Sequence, residues 1–73
     1  MRSIFRYYVN LDERGEFYAD IRDNADNTIL EIDKNYAEFL ASEKVDLHNV
    51  TKLRDYFASI GCLPDNAFLF KGN

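Results

Sequence analysis

A chain of 73 residues with thirteen Asp and Glu against nine Lys and Arg, a net charge of -4, has room for one small core and is disfavoured near a phosphate backbone or an anionic membrane. One cysteine, Cys62, excludes an intrachain disulfide, and Cys62 with the single histidine, His48, cannot complete a typical four-ligand zinc site. No metal or cofactor is expected, so stability has to come from the 47% of hydrophobic residues, rich in Phe and Tyr, or from self-association.

No apolar stretch approaches the roughly 18 residues of a membrane span. The N-terminus, MRSIFRYYVNLD, is a strand pattern interrupted by Arg6 and not the apolar core of a signal peptide. A free cysteine suits a reducing cytoplasm, which is the expected location. The sequon Asn49-Val50-Thr51 is read as chance in that setting.

In chain order, Phe5, Tyr7, Val9 and Leu11 alternate with Arg6, Tyr8, Asn10 and Asp12, the period of a half-buried strand over 3–12. Phe17, Ala19 and Ile21 repeat the pattern over 16–23, with Glu16, Tyr18, Asp20 and Arg22 on the other side. Between them Glu13-Arg14-Gly15 makes a three-residue hairpin loop, with Gly15 in the left-handed conformation. That loop pairs Leu11 with Phe17 and Val9 with Ala19, so the apolar sides coincide. The polar run Asp23 to Asn27 is a second turn, and a four-residue loop, Asn24 to Asn27, sets Leu30 opposite Ile21 in a third strand over 28–33.

The apolar side of this meander needs a cover, which the second half supplies. Asp33 caps a helix over 34–42 with Tyr36, Phe39 and Leu40 on one side. A second helix over 47–60 presents Leu47, Val50, Leu53, Phe57 and Ile60, and ends at Gly61, with Cys62 packing back on Phe57 and Pro64 beyond. The run AFLFK, 67–71, is a short fourth strand docked on an edge of the meander. The fold class is α+β: residues 1–73 form one small two-layer domain, an antiparallel three-stranded meander plus a short C-terminal strand, covered on one face by two helices.

Catalytic chemistry finds no constellation in this chain. His48 sits at the polar start of the second helix and Cys62 follows a helix-ending glycine, without a base or a cation beside it in sequence. The turn Asp23 to Asn27 fails as a calcium loop: Ala25 takes the third position, and Lys34 falls where a bidentate glutamate is needed. Gly15, Gly61 and Gly72 are too scattered for a phosphate loop. The chain reads as a non-enzyme.

What remains is the outward side of the meander: Arg6, Tyr8 and Asn10, then Glu16, Tyr18, Asp20 and Arg22, then Ile29, Glu31 and Asp33, with Ile4 adding apolar surface. Sheets that stack nucleobases surround their aromatics with positive charge, whereas Glu16, Asp20, Glu31 and Asp33 ring these tyrosines, so nucleic acid is not the expected ligand. Tyrosines and carboxylates suit recognition of a basic protein surface. The candidate partner-binding residues are Tyr8, Glu16, Tyr18, Asp20, Arg22 and Glu31. The corresponding function is a small acidic interaction module, of the kind a stoichiometric inhibitor mimicking nucleic-acid charge would use against a defence protein. The alternative is a homodimer whose sheet face or edge strand is the subunit interface.

Overall fold

The computed structural model describes residues 2–72. Among these the chain forms, in order, β1 (Ser3–Leu11), β2 (Phe17–Arg22), β3 (Thr28–Ile32), α1 (Lys34–Ser42), α2 (Val50–Ser59) and β4 (Ala67–Lys71). The strands join in one sheet of order β3-β2-β1-β4. The antiparallel meander is as expected, but β4 runs parallel to β1, with Ser3 opposite Ala67 and Phe5 opposite Leu69. The sheet is therefore mixed. Antiparallel pairing of β1 with β2 and of β2 with β3 leaves β3, β1 and β4 pointing the same way. Parallel strands cannot be joined by a hairpin, so the two helices serve as the crossover from one sheet edge to the other.

Both turns of the meander are built by the same device. Asp12 Oδ1 accepts from the amides of Arg14 and Glu16, each at 2.9 Å, and Asp23 Oδ1 accepts from those of Ala25 and Asn27, each at 2.9 Å. In each turn the fourth residue, Gly15 or Asp26, takes a positive φ, 74° and 66° respectively. The amide of Asn27 and its neighbours in the turn hold the Asp23 carboxyl below the usual carboxylate range. The first register is the expected one, Leu11 with Phe17 and Val9 with Ala19. In the second, Asp23 already bonds Asn27, so the loop is one residue shorter than expected. A bulge at the Ile21/Arg22 step restores Leu30 opposite Ile21 and leaves Ile29 as the extra residue.

Helix α1 starts where its cap is expected: Asp33 Oδ1 accepts from the Tyr36 amide at 2.8 Å. Helix α2 starts at Val50 and not at 47, because the Asn49 side chain caps it through the Lys52 amide at 3.1 Å. The preceding Asp46 to Asn49 closes on itself as a turn. At the other end Gly61, at φ 81°, occupies C′. The amides of Gly61 and Cys62 bond back to Ala58 and Phe57, the two bonds of a Schellman end. Leu63, 3% exposed, is the residue that packs inward there, whereas Cys62 is exposed.

The core lies between the sheet and the two helices. Tyr7, Ala19, Ile21 and Ile32 meet Ala37, Leu40, Leu53, Phe57, Leu63 and Leu69. Phe39 and Leu11, expected inside, are 50% and 70% exposed: Ala37 takes the inward position on α1, and Leu11 ends its strand beside the hairpin turn. Tyr7 is 1% exposed, and its hydroxyl donates to the Leu47 carbonyl at 2.9 Å. This bond ties the middle of the sheet to the segment between the helices. On the other side of the layer, Arg54 of α2 donates through Nε to the Ala67 carbonyl at 3.1 Å and through Nη2 to that of Asp65.

Burial pushes the Tyr7 phenol up to about 12 from 10.0. In the unfolded chain it ionises near 10, in the fold only near 12, so its contribution is complete below pH 10 and is lost as pH rises through 12. Tyr7→Phe is expected to cost about 1 kcal/mol at neutral pH, the net worth of one hydrogen bond, and to flatten the decline in stability across that alkaline window. Urea unfolding of the two proteins at neutral and alkaline pH checks both.

Candidate functional site: an open sheet face

Because α1 and α2 lie on the same side, the opposite face of the sheet carries no helix. Alternation brings Ile4, Arg6, Tyr8 and Asn10 of β1 to it, with Tyr18, Asp20 and Arg22 of β2, Glu31 of β3, and Phe68 and Phe70 of β4. The sequence reading did not assign Phe68 and Phe70 to a face. Alternation in AFLFK was the available signal, but both of its sides carry large apolar groups, and it is the parallel register, Ile4 opposite Phe68 and Arg6 opposite Phe70, that turns the phenylalanines outward.

The β1–β4 half of the face is an apolar patch edged by guanidinium groups. Ile4 and Phe68 are each 37% exposed and Phe70 is 45%. The two phenylalanine rings lie 4.4 Å apart between centroids, and the Arg2 guanidinium sits 5.1 Å over Phe68. Arg6, half-buried, stands between Phe70 on one side and Arg22 on the other.

At the centre, three expected site residues form one network. Arg22 donates through Nε to Asp20 Oδ2 at 2.7 Å and through Nη1 to Asp26 at 3.1 Å. Its guanidinium carbon lies 4.3 Å over the Tyr8 ring. Thr28 Oγ1 adds a bond to Asp20 Oδ2 at 3.2 Å. Asp20, then Asp26, hold Arg22 more firmly protonated than an isolated guanidinium. The other side of the Tyr8 ring packs on Gly72, where a Cβ would stand 2.5 Å from the ring. Only glycine leaves that space.

Asp20 is 3% exposed. Its carboxylate is thus an internal counter-ion for Arg22 and not a contact offered to a partner, and its Oδ1 is buried without a donor among the described residues. Tyr18 and Glu31 form a second, more open pair: Glu31, as acceptor of the hydroxyl, pushes the Tyr18 phenol above its usual value. Glu16 lies apart from both groups, at the hairpin end of the sheet, where it pairs with Lys34 of α1 at 3.3 Å. The expected ring of carboxylates is therefore absent from the face: Asp20 is internal, Glu16 faces α1 and Asp33 caps it, which leaves Glu31 on the face with Arg2 and Arg6.

Concavity is slight. A depression of about 430 Å³ is an open trough between the start of β1 and the Asp23–Ala25 turn. No group of three or more His, Cys, Asp and Glu among the described residues is disposed to hold a metal ion, and no helix among them is long and apolar enough to cross a membrane. Comparison with known proteins finds no matching family model, no matching curated protein and no matching solved structure.

Asp20 and Glu31 face each other across β2 and β3 yet should respond differently to truncation. Asp20→Ala removes the partner of a buried charge-assisted bond and is expected to cost about 1.5–3 kcal/mol. Glu31→Ala, on the exposed surface, should stay within about 0.5 kcal/mol. Urea midpoints of the two variants measure the difference.

Proposed function

We propose that this chain is a small non-enzymatic protein–protein interaction module and that its open sheet face is the binding surface. The observation that carries the reading is the patch of Ile4, Phe68 and Phe70, all more than a third exposed on a face that neither helix covers. Exposed apolar groups that cluster, rimmed by polar ones, mark interaction surfaces more than scattered ones do.

Composition supports a protein partner. Aromatic residues and arginine are the types enriched in buried interface centres, while lysine and aspartate are depleted there. On this face Phe68, Phe70, Tyr8 and Tyr18 stand with Arg2, Arg6 and Arg22. Arg22 is already fixed by Asp20, Asp26 and Tyr8, so little rotamer freedom remains for it to lose on binding. Among the described residues Arg6 has no such clamp, which leaves it to take a carboxylate from the partner.

The partner's charge is mixed under this reading. Tyr18 and Glu31 suit a basic group at one side of the face, and Arg2 and Arg6 suit an acidic one at the other. Further negative charge lies outside the face, at Glu13 of the first turn and at Glu38 and Glu43 on and just beyond α1. A basic partner surface, as a charge-mimicking inhibitor would engage, would meet the molecule along that rim and not over the patch.

A tagged form recovered from its native host with a stoichiometric protein, then compared with Ile4→Ser and Arg6→Glu, tests the proposal. Both substitutions lie on the face and away from the core, and each should cut recovery of that protein by about tenfold or more, the scale of a contact near an interface centre, with circular dichroism unchanged. A partner retained equally by both variants would exclude the face.

A further inference from the structure

β4 is the last strand of the sheet on its side, and the direction of each backbone group on it follows from the parallel ladder. The Ser3 amide bonds the Asn66 carbonyl at 3.2 Å, and the Gly72 amide bonds the Tyr7 carbonyl at 2.7 Å. Even-numbered residues of this stretch therefore point their amides and carbonyls at β1, and odd-numbered ones, Ala67, Leu69 and Lys71, point theirs at the open edge. Ala67 is satisfied within the chain: its amide bonds Pro64 at 3.0 Å and its carbonyl accepts from Arg54 at 3.1 Å. Leu69 and Lys71 each keep an N–H and a C=O directed outward, with no partner among the described residues.

We infer that this edge pairs with the same edge of a second copy, β4 against β4 in antiparallel register about a twofold axis at Phe70. The inference goes beyond the proposed function, because it concerns an edge and not the face. A second copy is the occupant for which the free groups are self-complementary. With Phe70 opposite its mate, Leu69 lies opposite Lys71 of the other copy and Lys71 opposite Leu69. Each such pair exchanges two bonds, so all four free groups of each copy are used. Shifting the register to set Leu69 opposite its mate brings Lys71 against Ala67, whose groups are already taken.

Side chains fit the same register. Phe70 and its mate become a close non-hydrogen-bonded pair, where aromatic cross-strand contacts are strongest. Phe68 falls opposite Gly72 of the other copy, a position with no side chain, covered by a Tyr8 ring. On the helical side, the groove of about 190 Å³ between α2 and β4, lined by Thr51, Arg54 and Leu69, lies along the same edge, beside the Leu69–Lys71 pairs. Lys71 is the one charge on the strand, and it faces a leucine and not its own copy. The ladder is short, which places the contact below about 1,200 Å², the range of weak and transient interfaces. The product is a concentration-dependent dimer with one eight-stranded sheet.

Sedimentation over protein concentrations from about 10 µM to about 1 mM, the range for an interface of that size, tests the inference, with Lys71→Pro as the variant. Proline at 71 removes an edge-directed N–H and no bond to β1, so the monomer keeps its fold. It should weaken dimerisation by about tenfold or more, since each copy loses a donor. Amide exchange on the unmodified chain gives a second readout that needs no variant: the Leu69 and Lys71 amides should gain protection as concentration rises, while those of Phe68 and Phe70 are protected throughout. A persistent monomer, a dimer indifferent to Lys71→Pro in its folded form, or Leu69 and Lys71 amides whose exchange ignores concentration would each overturn it. None of these results bears on whether Ile4 and Arg6 bind a different protein.

Discussion

The hydrogen bond from the Tyr7 hydroxyl to the Leu47 carbonyl fixes where the helical layer sits. Tyr7 lies on β1, which has β2 on one side and β4 on the other, and it is among the largest fully buried side chains of the core. A phenol buried without a partner would carry a desolvation cost that a small core offsets with difficulty. The Leu47 carbonyl removes that cost, and it is free to do so because α2 begins only at Val50. The segment between the helices is thereby held under the odd-numbered side of β1. Helix α1 then covers β2 and β3, and α2 covers β4. With both helices on one side, no helix among the described residues covers the other.

Much of the negative charge in this molecule is engaged within the fold itself. Asp12, Asp23, Asp33 and Asp46 each accept backbone amides at a turn or a helix start, where a short carboxylate satisfies donors that the regular ladder cannot. Asp20 and Asp26 are engaged by Arg22, Glu16 by Lys34 and Asp55 by Arg54. Most of the carboxylates behind the net charge of -4 are therefore already engaged by the chain's own amides and cations. The open face, by contrast, gathers guanidinium groups and aromatic rings.

Much of the fold was legible for identifiable reasons. The first hairpin register followed from Gly15 together with the shared period of Val9, Leu11, Phe17 and Ala19, because a slip of one residue would have turned every side chain over. Asp33 and Gly61 marked helix ends through local chemistry that tertiary contacts do not override. The direction of β4 was not legible, since a period of two is the same read from either end. Nor was the depth of Asp20: alternation assigns a side chain to a face but not to a level within it. That level depends on Arg22 two residues on, and on Thr28, which the second turn and the bulge bring alongside. Of the residues chosen as a binding set, Tyr8, Tyr18, Arg22 and Glu31 do share the open face, Asp20 supports it from beneath and Glu16 belongs to the hairpin end.

The position of the apolar patch links the two proposed interaction surfaces. Phe68 and Phe70 stand on the edge strand itself, so the patch is not centred on the sheet but runs to its boundary. An edge-to-edge dimer sets two such patches side by side and joins them into one surface of twice the width. A protein that touched both halves would bind the dimer more tightly than the monomer, and by linkage would strengthen the dimer by the same factor. A protein confined to Arg6, Tyr18 and Glu31 would be indifferent to the second copy. Whether binding and self-association act independently or as one equilibrium thus turns on whether the partner's footprint reaches Phe68 and Phe70 on the edge strand.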